Sequence, residues 1–154
     1  MKTFLLGTAA LGALALAACG GGGGGSVSPT PGPTCGPIGI QSQLIYPAPS
    51  ATAVPDAQAQ IVIAVSSPLP INTYNLALYN AANSTQFALT ANPLAQIQAS
   101  QLPAGSGTTT ISNPTYEAVN LVNPLPAATQ LQTAINDPSS NCTPQTVPGT
   151  FTTQ

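Results

Sequence analysis

The chain is almost without charge. It has no histidine and a single cation, Lys2, and its only acids are Asp56, Glu117 and Asp137. A protein that cannot neutralise phosphates has no footing on nucleic acid, so no nucleic-acid partner is expected. Without histidine there is no Ser-His or Cys-His nucleophile, and no lysine beyond the start can form a Schiff base. The three acids lie far apart in sequence with no motif around them, so a glycosidase pair is not expected and they read as solvated surface carboxylates. Asp56 and Asp137 each stand beside a proline, the setting of a turn cap, which is preferred over a shared calcium site. Tryptophan is absent too, which weakens a sugar-stacking surface built on Tyr46, Tyr74, Tyr79 and Tyr116. No enzyme activity, cofactor or metal is expected. Low charge is not disorder here, because the mean hydropathy is positive.

Residues 1–18 have the parts of a secretory leader: Lys2, an apolar stretch over 4–16, and small residues after it. That stretch falls short of the roughly 20 residues a membrane-spanning helix needs. Leu16-Ala17-Ala18-Cys19 resembles the lipobox of bacterial lipoproteins. The resemblance implies cleavage before Cys19, lipid on its thiol, and a membrane tie made by acyl chains, each buried methylene contributing about 0.8 kcal/mol. With Gly20 and not aspartate after Cys19, it implies an outer-membrane lipoprotein facing the periplasm or the cell surface.

Residues 19–34 then read as a lipid-anchored tether. Its glycines should behave as flexible coil and its prolines as a stiffer spacer, reaching roughly 40 Å in all. The glycine run has no flanking strand, helix or lysine and so is not a phosphate loop. With Cys19 lipidated, Cys35 and Cys142 remain, and in an oxidising compartment they are expected to form a disulfide. Two cysteines without histidine are a poor metal set.

Residues 35–154 are expected to be one domain. Prolines recur about every ten residues, a turn rhythm that suits short strands and opposes long helices. Ile61, Ile63 and Val65 alternate, as do Tyr74, Leu76 and Leu78, Phe87 and Leu89, Val119 and Leu121, and Leu131 with Ile135. Asn80-Ala81-Ala82-Asn83-Ser84 reads as a hairpin loop, and Gly105-Ser106-Gly107 as a loop tip before the β-branched run Thr108-Thr109-Thr110-Ile111.

Tyr46-Pro47-Ala48-Pro49-Ser50-Ala51-Thr52-Ala53-Val54-Pro55-Asp56, with the strand Ile61-Val62-Ile63-Ala64-Val65 after it, resembles the opening of bacterial Ig-like domains. Leu125-Pro126-Ala127-Ala128-Thr129-Gln130-Leu131 resembles the approach to strand F in Ig-like and fibronectin-type folds, and Gly149-Thr150-Phe151-Thr152-Thr153 their last strand, although Val65 replaces a usual aromatic and Leu131 a corner tyrosine. The resemblance implies an all-β fold, a single Ig-like β-sandwich of about seven strands. The expected function is a non-catalytic structural or protein-interaction module of the cell envelope, held to the membrane by its lipid. The alternative is a ligand-binding accessory domain for carbohydrate. Edge strands with so few charges are open to pairing, so an envelope protein partner or self-association through an edge strand is expected.

Overall fold

The computed structural model describes residues 36–154 apart from 38, 71, 88–92 and 140. Cys19, Cys35, the leader, the tether and Leu89 lie outside the described residues. The strands are β1 (Ser42–Tyr46), β2 (Gln60–Val65), β3 (Asn75–Asn80), β4 (Gln86–Phe87), β5 (Ala95–Ile97), β6 (Thr115–Asn120), β7 (Gln130–Asn136) and β8 (Gln145–Thr152). Among the described residues the fold is thus all-β, with eight strands where about seven were expected and one 3-10 turn at Ala99–Gln101. Among the described residues no helix is long and apolar enough to cross a membrane.

Two four-stranded antiparallel sheets form, in the orders β1-β2-β6-β5 and β4-β3-β7-β8. One apolar cluster joins their facing sides, with Leu44, Ile61, Ile63, Val65 and Val119 from the first sheet and Leu76, Leu78, Leu131, Ile135, Val147 and Phe151 from the second. This is a sandwich, each strand giving alternate residues to the shared interior. The alternation of Ile61, Ile63 and Val65 therefore reports the inward face correctly.

β2 is nevertheless buried on both faces. Val62 and Ala64 join Ile45 and Ala118 in a second cluster on the outer side of the first sheet. The connection between β5 and β6 folds over that side, with Leu102 and Ile111 packed beside Ile97, Tyr46 and Tyr116. The run Thr108-Thr109-Thr110-Ile111 consequently forms no strand, despite its β-branched composition. Gln43 holds it instead: its Nε2–H donates to Thr108 O (3.2 Å), and its Oε1 accepts from the Thr109 hydroxyl (2.9 Å). A side-chain clamp has replaced a ladder.

Asn80-Ala81-Ala82-Asn83-Ser84 does form the β3–β4 turn. Asn80 Oδ1 accepts from Ala82 N–H (2.8 Å) and Asn83 Oδ1 from Thr85 N–H (3.0 Å), asparagines closing turns on their own backbone.

Thr133 lies in the interior opposite Leu78, fully buried, and its hydroxyl has no hydrogen-bond partner among the described residues. An unpartnered buried hydroxyl costs more than an apolar group of the same shape. Thr133→Val should therefore raise the unfolding free energy by about 1 kcal/mol, read by urea denaturation. A loss of stability of that size would mean that the hydroxyl is satisfied.

Candidate functional site

β1 and β8 are the edge strands of their sheets on the same side of the sandwich. Most of their free edges is already occupied by the chain itself. Beyond Pro49 the segment 50–54 runs along β8: Ser50 N–H donates to Thr150 O (2.6 Å), Thr152 N–H to Ala51 O (2.8 Å) and Val54 N–H to Thr152 O (3.0 Å), with Val54 and Thr153 bridged in parallel. On β1, Gly107 N–H donates to Ile45 O (2.8 Å). The other two edges are very short, since β4 has two residues and β5 three. Edge protection here comes from cover and shortness in place of lysines.

One stretch stays open, between residues 41–43 at the start of β1 and 145–149 of β8. It is a groove of about 610 Å³, lined by Gln41, Ser42 and Gln43 on one side and by Gln145, Thr146, Pro148 and Gly149 on the other, with Pro49, Thr110 and Ile111 beside them. Gln41 uses both its backbone groups toward β2, its N–H donating to Ser66 Oγ (3.0 Å) and its O accepting from Ser66 N–H (2.9 Å). Backbone groups alternate in direction along an antiparallel strand, so those of Ser42 point away from β2. The Ser42 hydroxyl is buried and has no partner among the described residues. Pro148 has no N–H to offer. Gly149, at φ +111°, brings β8 close to β1, since a Cβ there would stand 2.9 Å from Leu44 Cβ. Among the described residues the lining holds amides, hydroxyls and small apolar surfaces and no charged or aromatic side chain.

The acids separate into three environments. Asp56 is exposed in a turn closed by Gln58 N–H on Pro55 O (3.0 Å). Asp137 Oδ1 accepts from Ser139 N–H (2.9 Å) and the Ser139 hydroxyl (2.6 Å), a turn cap as expected. Glu117 corrects the expectation of a solvated carboxylate, being 4% exposed. It shares the inward face of β6 with Val119, and one backbone donor reaches it, Leu69 N–H at 3.4 Å. The alternation of Val119 and Leu121, carried two residues back, was the signal that would have placed it. Leu69, Pro70, Leu94, Ala95 and Gln96 border the cavity beside it, and none is charged. Nothing there joins Glu117 to a second acid, and among the described residues no group of three metal-binding side chains exists.

Burial pushes the Glu117 carboxyl above its ordinary value of 4.5, with the Leu69 N–H partly opposing. The folded state then holds the proton more tightly than the unfolded chain. Its contribution to stability is full below the ordinary value and is lost as pH rises through the raised one. The difference in unfolding free energy between Glu117→Gln and the parent should therefore grow in favour of the variant from pH 4 toward neutrality and then level off. A difference flat across that range would contradict the burial of this carboxyl.

The four tyrosines do not form a row. Tyr46 and Tyr116 pack in the outer cluster of the first sheet and Tyr74 against the main core, while Tyr79 stands on the outer face of the second sheet, all of them half-buried. Cys142 is half-buried and not without a partner. The chain matches no protein-family model, and neither a curated protein nor a solved structure gives a significant match.

Proposed function

We propose that the chain is a cell-envelope lipoprotein, anchored through Cys19, whose single Ig-like domain works as a non-catalytic interaction module. The open groove between β1 and β8 carries this reading. It is a gap flanked by two edges, it is lined by Ser42, whose buried hydroxyl has no partner among the described residues, and its described lining is neutral, which suits an extended, uncharged segment of an envelope protein or of a second copy. The Ig-like assignment is supported by strand order. β1-β2-β6-β5 corresponds to the A-B-E-D sheet of such sandwiches and β3-β7-β8 to C-F-G, with β4 as an added strand next to C. The Cys35–Cys142 disulfide is supported by adjacency. A Cβ on Gly36 would run into the Gln145 side chain, and Gln145 Nε2–H donates to Ile40 O (3.1 Å), so the chain next to Cys35 lies beside the chain that follows Cys142.

A photoreactive residue at Thr146, in cells of the native host, should capture a protein or a second copy. The same residue at Val122, 61% exposed in the β6–β7 connection, should not. Equal yield at both positions, or none at Thr146, would overturn the groove as the contact surface.

A further inference from the structure

We propose that the outer face of the second sheet carries a site for one ring of a neutral saccharide, centred on Tyr79. The two outer faces differ. The first is covered by the β5–β6 connection and is apolar beneath it. The second leaves Tyr79 on β3 and Gln132 on β7, directly across from it, half-buried, while Ala77 and Ala134 beside them are buried. Beside the ring is a cavity of about 170 Å³. Ser84, from the β3–β4 turn, borders it along with Thr143 and Pro144 from the approach to β8, and Gln132 and Ala134 line its β7 side.

The chemistry of this lining is selective. A sugar ring presents a C–H face that packs on an aromatic ring, and hydroxyls around its rim that need donors and acceptors. Tyr79 supplies the aromatic face, and the Gln132 amide with the Ser84 and Thr143 hydroxyls supplies both kinds of polar partner. Ala77 and Ala134, opposite each other in register, keep the floor next to the ring low. The Tyr79 hydroxyl donates to Gln86 Oε1 (3.4 Å), which steadies the ring from its far end. Among the described residues no lining side chain is charged, so neither a phosphorylated nor a carboxylated sugar finds a counter-ion there, and an amino sugar finds no acid. The site shares only Thr146 with the β1–β8 groove and does not depend on what occupies it.

The test is binding of the purified full chain to an array of neutral, sialylated and sulfated oligosaccharides, followed by calorimetric titration with the tightest neutral one. Neutral glycans alone should bind. Tyr79→Ala should weaken the titrated affinity by about tenfold or more, while Tyr79→Phe, which keeps the ring, should stay within about threefold. Gln132→Ala should weaken it to an intermediate degree, with each variant's circular dichroism unchanged. No neutral glycan bound at millimolar concentration, a preference for charged glycans, or full affinity in a folded Tyr79→Ala would each overturn the proposal.

Discussion

Phe151→Ala should lower the unfolding free energy by about 3 to 5 kcal/mol, the range for emptying a fully buried aromatic site. Phe151 is 1% exposed and pairs in register with Leu131, which is fully buried, in the cluster that joins both sheets. Collapse around the gap is restricted, because β8 is held on one side by β7 and on the other by the segment 50–54. Domains of this size are stable by only about 5 to 15 kcal/mol, so the variant should be marginal at physiological temperature. Phe151→Leu, close in volume, should cost less than about 1.5 kcal/mol and serves as the control. If alanine cost no more than leucine in urea denaturation, Phe151 would not be a well-packed part of the core.

Cys142→Ser should have an effect of similar size. The proposed bond to Cys35 closes a loop of roughly a hundred residues, which the chain-entropy model values at up to about 4 to 5 kcal/mol. Gly36 abuts Gln145, so the start of the domain lies beside the chain that follows Cys142. Cys35→Ser should destabilise by the same amount as Cys142→Ser, and the double variant by no more than either single one, since both remove one bond. Two thiols that alkylate in the denatured, unreduced protein would contradict the pairing.

Much of the inward face could be read from alternation, because period two is a direct statement about sides. Ile61, Ile63, Val65, Leu76, Leu78, Val119, Leu131 and Ile135 all enter the main cluster. What alternation does not say is whether the opposite side is covered. Val62 and Ala64 lie under a connection whose own sequence has no periodicity, and that cover depends on the Gln43 clamp, a contact across more than sixty residues. For the same reason Thr108-Thr109-Thr110 looked suited to a strand and is not one: propensity is local, and its partner strand is elsewhere. β4 and β5 are too short to leave any pattern.

The groove was less legible than the core. Few charges on the edges signalled that strand edges needed another form of protection. Which edges the chain covers is decided by where residues 50–54 and 107–110 return, and no spacing encodes that. The Pro148-Gly149 pair was the local sign, a proline that cannot donate followed by a glycine at positive φ in the middle of an edge strand. Glu117 was legible by parity with Val119 and was misread because a lone acid is so commonly solvated.

The proposed anchor at Cys19 would tie these parts into one function, because a neutral domain with an open groove would serve an envelope only if it is held there. The most direct test is mass spectrometry of the N-terminal peptide of the protein purified from host membranes, set beside fractionation of Cys19→Ser. The lipoprotein reading predicts a mature chain that begins at Cys19 and carries acyl mass on that residue, and a Cys19→Ser protein that is no longer processed there or acylated. An unmodified cysteine, a different first residue, or a Cys19→Ser protein that is processed normally and remains bound to membranes would contradict it.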